Sequence, residues 1–121
     1  MCRRVLIVDD SVTMRDMLTF TLKAAGFSII EADDGVNALK ALEGNAVDLI
    51  ITDINMPRLD GIELTRQVRQ SEKLAFVPIL CLTTETSDEL KSRAKSAGAT
   101  GWLQKPFDPD MLVHTAMKVC L

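Results

Sequence analysis

Asp9 and Asp10 stand side by side where the apolar run of "VLIVDDS" stops. Asp53 closes another apolar run in "DLIITDINMP", Thr83 and Thr84 follow "ILCL", and Lys105 follows "GWLQ". Two carboxylates about 5 Å apart repel by roughly 3 kcal/mol at an effective dielectric near 20. Three in one cleft raise at least one pKa unless a cation answers them. Lys105 supplies one positive charge. A hard divalent cation supplies more, and magnesium suits a site of few carboxylates and several retained waters. A metal alone leaves Thr83 and Lys105 without a role. Phosphoryl transfer employs all five groups, because it needs a nucleophile, a metal, and further donors on the remaining oxygens. On that chemistry Asp53 is the nucleophile that becomes an aspartyl-phosphate. Asp9 and Asp10 are metal-site residues, and Thr83 and Lys105 each hold a phosphoryl oxygen.

Taken singly, each residue has a plainer reading. An aspartate at a strand end is a helix cap, a lysine a surface charge, a threonine a loop hydroxyl. The specificity lies in complementary groups at four strand ends, which requires an architecture that gathers them. Short apolar segments over 5–8, 28–31, 47–52, 79–82 and 100–103 read as strands, the first, third and fourth buried on both faces. Helical periodicity covers 12–25, 36–42, 62–70, 88–97 and 109–119. In the first helix Met14, Met17, Leu18, Thr21 and Leu22 share one face at core spacing. Thr86 with Glu89, and Asp60 with Glu63, fit capping boxes. Asp108 before Pro109 fits an N-cap, and Gly26, Gly44 and Gly98 sit where left-handed caps are needed. Five strands alternating with five helices predict an α/β fold, a parallel sheet covered on both faces. Ligands in such sheets bind beyond the carboxyl ends of the strands, which is where these residues fall.

The 121 residues are expected to form one domain spanning 1–121. Apolar residues at 47% and a net charge of −3 describe an ordinary globular chain and argue against a nucleic-acid partner. No apolar run reaches the roughly 20 residues that cross a bilayer, and no signal peptide is read, so no membrane role and a cytoplasmic location are expected. The scattered Cys2, Cys81 and Cys120 fit neither a disulfide framework nor a zinc site. Cys81 reads as core and His114 as surface or packing. Arg58, Lys91, Arg93 and Lys95 read as solvated, with Lys91 and Lys95 one turn apart and placed to meet an acidic partner.

The ordered set "VLIVDDS", "DLIITDINMPRLDG", "ILCLTT" and "GATGWLQKPF" resembles the receiver domain of bacterial two-component response regulators over essentially the whole chain. The resemblance implies a doubly wound five-stranded sheet of order 2-1-3-4-5. It implies that Asp53 accepts a phosphoryl group from a histidine kinase. Asp10, Asp53 and the backbone carbonyl of Asn55 then ligate magnesium directly, and Asp9 acts mostly through water. Thr83 and Lys105 contact the phosphoryl oxygens, and Asn55 and Glu85 tune the lifetime of the phosphate. The Lys105–Pro106 bond is usually cis in the family, against a general frequency of about 5–6%. The implied readout surface includes Leu90, Lys91, Ala94, Lys95, Ala99, Trp102, Val113 and Met117. Trp102 departs from the pattern, because the aromatic switch position is usually Tyr or Phe. Two readings stay open for it: an inward-turning switch, or a partly exposed residue for packing or partner contact. Thr84 is bulkier than the small residue often found after the switch threonine, which narrows access to Asp53.

The expected mechanism is a population shift, in which the phosphoryl group favours an active form. Only 16 residues (106–121) follow Lys105, so output is expected through a partner rather than an attached domain. "DDSVTMRDML" is most similar to chemotaxis-type regulators, which implies a flagellar motor switch protein as partner, a possible phosphatase, and a monomeric chain that catalyses only its own phosphorylation and dephosphorylation. Alternatives are a phosphorelay intermediate or phosphate sink exchanging with a histidine phosphotransfer protein, and a receiver cut from a longer regulator. A third is an aspartyl-phosphate hydrolase of small phosphate esters; such enzymes need a second aspartate two residues after the nucleophile, where Asn55 stands. A flavin-binding module is disfavoured by the acidic cleft.

Overall fold

The computed structural model describes residues 3–85 and 87–120. Its elements are β1 (Arg4–Val8), α1 (Val12–Ala24), β2 (Ser28–Ala32), α2 (Gly35–Gly44), β3 (Leu49–Asp53), α3 (Gly61–Arg69), β4 (Ile79–Thr83), α4 (Asp88–Ala97), β5 (Gly101–Gln104) and α5 (Pro109–Val119). A 3₁₀ turn at Glu72–Leu74 was not expected from the sequence. The five strands are parallel in the order β2-β1-β3-β4-β5, as the resemblance implied. No helix among the described residues is long and apolar enough to cross a membrane.

Strand alternation sorts the core into two layers. Val5, Ile7, Leu49, Ile51, Leu80 and Leu82 face α1 and α5 through Leu18, Leu22, Leu112 and Ala116. Leu6, Val8, Ile50, Ile79 and Cys81 face α2, α3 and α4 through Ala38, Leu42, Leu64, Val68 and Ala94. Strands β3 and β4 are buried at every position. Each fully buried Leu or Ile contributes roughly 1.5–3 kcal/mol. The central strands are therefore the rigid base from which the site projects.

Several local expectations are corrected. β3 begins at Leu49 rather than two residues earlier and takes in Asp53 as its last residue. Its entry is set by Asp48, whose carboxylate accepts the Arg4 N–H at 2.8 Å. In α1, Met17 is 50% exposed; the inward stripe runs through Leu18 and Leu22, and a position one residue off it is rotated about 100° away. Gly26 and Gly98 adopt left-handed φ of 100° and 107°, but Gly44 does not. It remains inside α2, and the extended Asn45 ends that helix while its side-chain amide donates to the Ala41 carbonyl at 2.9 Å. Ser87 caps α4 by accepting the Leu90 N–H at 3.2 Å, while Thr86 lies outside the described residues. Asp60 caps α3 as expected, but the Glu63 carboxylate pairs with Arg66.

Candidate functional site

Strand register builds the site. Val8 lies opposite Thr52, Asp53 opposite Leu82, and Thr83 opposite Gln104. One step along the chain, Asp9, Thr83 and Lys105 therefore meet Asp53 at the carboxyl edge of four strands. Alternation aims Asp9 and Asp53 to the same side of the sheet as Ile7 and Ile51.

Oxygens of Asp9, Asp10 and Asp53 lie within 4.8 Å of one another. Asp9 is fully buried and Asp53 7% exposed, whereas Asp10 is open to solvent. The Lys105 ammonium reaches both buried carboxylates, 3.1 Å from Asp53 Oδ1 and 3.3 Å from Asp9 Oδ2. Its backbone N–H donates to the Thr83 carbonyl at 2.8 Å, and the Lys105–Pro106 bond is cis, as the resemblance implied. Asp9 is oriented from two further directions. Its Oδ1 accepts the Ser11 N–H at 2.9 Å, and its carbonyl accepts from the Arg15 guanidinium at 2.6 Å. Arg15 also pairs with Glu31 at 3.3 Å.

The charges are unbalanced. Burial pushes the Asp53 carboxyl above its ordinary value; Lys105 pulls it down, and Asp9 and Asp10 push it further up. Burial alone would lower the Lys105 ammonium, but the adjacent Asp53 and Asp9 outweigh it and hold that group above the ordinary lysine value. Three carboxylates answered by one ammonium leave a compact, all-oxygen donor set with residual negative charge. That set fits a hard divalent cation.

Thr83 is 3% exposed, and its hydroxyl accepts the Glu85 N–H at 3.0 Å. Thr84, Glu85 and Asn55 are exposed. Trp102 sits opposite Cys81, on the sheet face that α4 covers, and is 39% exposed. The Lys91 ammonium lies 5.4 Å from its ring centroid, within cation–π range. Lys95, Met117 and Trp102 are exposed, as a readout surface requires, but Leu90 and Ala94 are buried in the core and leave that set. Val113 packs against the α1–α5 core layer. His114 is exposed. Cys81 is buried, and burial pushes its thiol up to about 11, so it is unreactive core.

Three contributors escaped sequence reasoning. Gly61 opens α3 against the end of β3, where a Cβ would stand 2.1 Å from the Asp53 carbonyl oxygen. Its own N–H donates to the Ile54 carbonyl at 2.9 Å. The signal was present in "RLDG", because a glycine just inside a helix start marks close backbone approach. Arg15 and its hold on the Asp9 carbonyl carry no sequence signature. Arg58 is exposed, as expected, but it is not unpartnered: it has a left-handed φ of 67° and pairs with the buried Asp34 at 2.7 Å.

Residues 5–117 match the family model of the response regulator receiver domain. The chain is 39% identical over 117 residues to the chemotaxis protein CheY of Pseudomonas aeruginosa, covering 96% of this chain and 94% of that protein. Among solved structures it is similar to the chemotaxis response regulator CheY4 of Vibrio cholerae, with a TM-score of 0.94 and 45% identity over 98% of this chain and 99% of the other. The receiver domain of a sensor histidine kinase from Pseudomonas aeruginosa superposes with a TM-score of 0.91 at 27% identity, over 99% of this chain and 98% of that one, and was solved with a magnesium ion coordinated in its active-site cleft.

Proposed function

The chain belongs to the response regulator receiver domain family, and from that premise we propose that it is a phospho-acceptor switch loaded at Asp53. The observation that carries the reading is the gathering of Asp9, Asp10 and Asp53 oxygens within 4.8 Å, with the Lys105 ammonium on two of them. Asp10, Asp53 and the Asn55 carbonyl would hold magnesium, with Asp9 acting through water. When bound, the ion supplies positive charge to the oxygens of the incoming phosphoryl group.

The remaining chemistry belongs to this chain. A carboxylate oxygen of Asp53 attacks the phosphorus of a kinase phosphohistidine. The new O–P bond forms as the P–N bond breaks, and the imidazole leaves with the electron pair. Desolvation of the Asp53 carboxylate favours its reaction. Lys105, held protonated, moves from Asp53 to a phosphoryl oxygen. The Thr83 hydroxyl donates a hydrogen bond to another, and Glu85 and Asn55 flank the acyl phosphate where water must approach. The switch is a shift in population: the loaded form binds Thr83 and Lys105 better in the active arrangement.

Similarity to chemotaxis proteins favours motor control as the output, through a flagellar motor switch protein bound at the face that holds Lys91, Lys95 and Trp102. A histidine kinase domain carrying labelled phosphate tests both steps. Label is expected to move to the wild-type chain and not to Asp53→Asn, and the labelled chain is expected to capture a flagellar switch protein. Back-transfer to a second histidine domain without such capture would favour the relay role instead. Multiple turnover of small phosphate esters would favour the hydrolase.

A further inference from the structure

The loop over 54–60 leaves β3 directly after Asp53 and carries Asn55. Half-way along it the Leu59 N–H donates to the Pro57 carbonyl at 2.8 Å, closing a turn over Arg58. With φ at 67° this is the γ-turn of positive φ, a rare and strained form. Glycine or asparagine would meet that backbone at lower cost. What arginine adds is its guanidinium.

That guanidinium reaches across to the turn that opens α2. Arg58 Nε donates to Asp34 Oδ2 at 2.7 Å, while Asp34 Oδ1 accepts the Asn37 N–H at 2.8 Å. Asp34 is 6% exposed, and the Arg58 hydrogen bond holds its carboxyl below the usual range. The two turns also touch: a Cβ on Gly35 would stand 2.5 Å from the Leu59 carbonyl oxygen. A strained segment pinned from outside sits three residues from Asn55, with Met56 and Leu59 packed on the core as its apolar footing.

We propose that Arg58 is a positioning residue: its pairing with Asp34 clamps the β3–α3 loop and so sets the magnesium-binding geometry of Asn55 beside Asp53. This rests on the reading of the cleft as a magnesium-dependent acceptor site. A direct ligand must be held within about half an ångström of its productive place, which a strained, unclamped loop would not do.

The test is a calorimetric titration of metal-free protein with magnesium, for wild type, Arg58→Gly, Asp34→Asn and the double variant. Arg58→Gly removes the clamp and eases the backbone, so folding is retained. Asp34→Asn keeps an N-cap of equal quality. With its oxygen on Asn37, it turns an amide donor toward Arg58 and breaks the pair. The two changes alter local charge in opposite directions, so a field effect alone would strengthen binding in one and weaken it in the other. The clamp predicts that both weaken magnesium about 10-fold, the size seen for groups that orient metal ligands. It predicts that the double variant is no weaker than either single one. Unchanged affinity, opposite shifts, or losses that add in the double variant would overturn it. Failure of the wild type to bind magnesium would refute the acceptor reading and the clamp together; normal wild-type binding with unaffected variants would refute the clamp alone.

Discussion

Two adjacent-aspartate pairs follow neighbouring strands, and they do different things. Asp33–Asp34 after β2 is a satisfied turn. Asp34 takes the Asn37 N–H on one oxygen and Arg58 on the other, and Asp33 accepts the Asn37 side-chain amide at 2.6 Å. Asp9–Asp10 after β1 is not. There Asp9 accepts the Ser11 N–H on one oxygen but must share the Lys105 ammonium on the other with Asp53, and Asp10 opens to solvent within reach of both. The carboxyl chemistry follows: Arg58 holds Asp34 below its ordinary value, whereas burial raises Asp53 above it. A doubled aspartate is therefore no mark of a site by itself. A site is where the oxygens outnumber the donors that the fold provides.

Gly61→Ala strikes hardest at the frame of the cleft. The added Cβ meets the Asp53 backbone at 2.1 Å, which no side-chain adjustment relieves. A loss of about 3 kcal/mol or more is expected in urea unfolding. Lys105→Ala comes next, since it leaves buried Asp9 and Asp53 facing one another. It is expected to lose about 2 kcal/mol in chelator, and saturating magnesium should restore part of that. An equal loss with and without magnesium would deny that the metal and the lysine answer the same charge.

The smallest effects carry the sharpest contrast, because the two carboxylates have opposite signs of pH dependence. The depressed Asp34 stabilises the fold fully above the ordinary aspartate value of 3.8, and that advantage over Asp34→Asn fades as pH falls through its lower folded value. The raised Asp53 costs stability above its folded value and nothing below 3.8, so in chelator Asp53→Asn should be the more stable protein near neutrality. Its lead should shrink on acidification. Melting temperatures of the three proteins from pH 3 to 7 would expose a shared sign, which the comparison forbids.

The strand ends were legible because each apolar run stops on a polar group whose type matches its neighbours across the sheet. The placement of Asp9, Asp53 and Lys105 on one edge follows from parallel pairing alone. The strand order was not readable from periodicity and came from resemblance to the family. Cap choice slipped because Thr86 and Ser87 are equally competent hydroxyls, and only backbone dihedrals decide which residue precedes the helix. The pairing of the exposed Arg58 was missed for a different reason. Its partner Asp34 is 24 residues away, and nothing in "NMPRLDG" reveals a positive φ at an arginine. Pairings across the fold are tertiary facts, written in no local pattern, whereas the close approach at Gly61 left a trace in the glycine that follows Asp60.

The most direct test weighs the intact protein after incubation with a small acyl-phosphate donor. One phosphoryl group should appear on the wild type with magnesium present, and none in chelator or on Asp53→Asn. A wild type that stays unmodified with magnesium, or an Asp53→Asn protein that takes the group equally well, would contradict the assignment of the acidic cleft as the acceptor site.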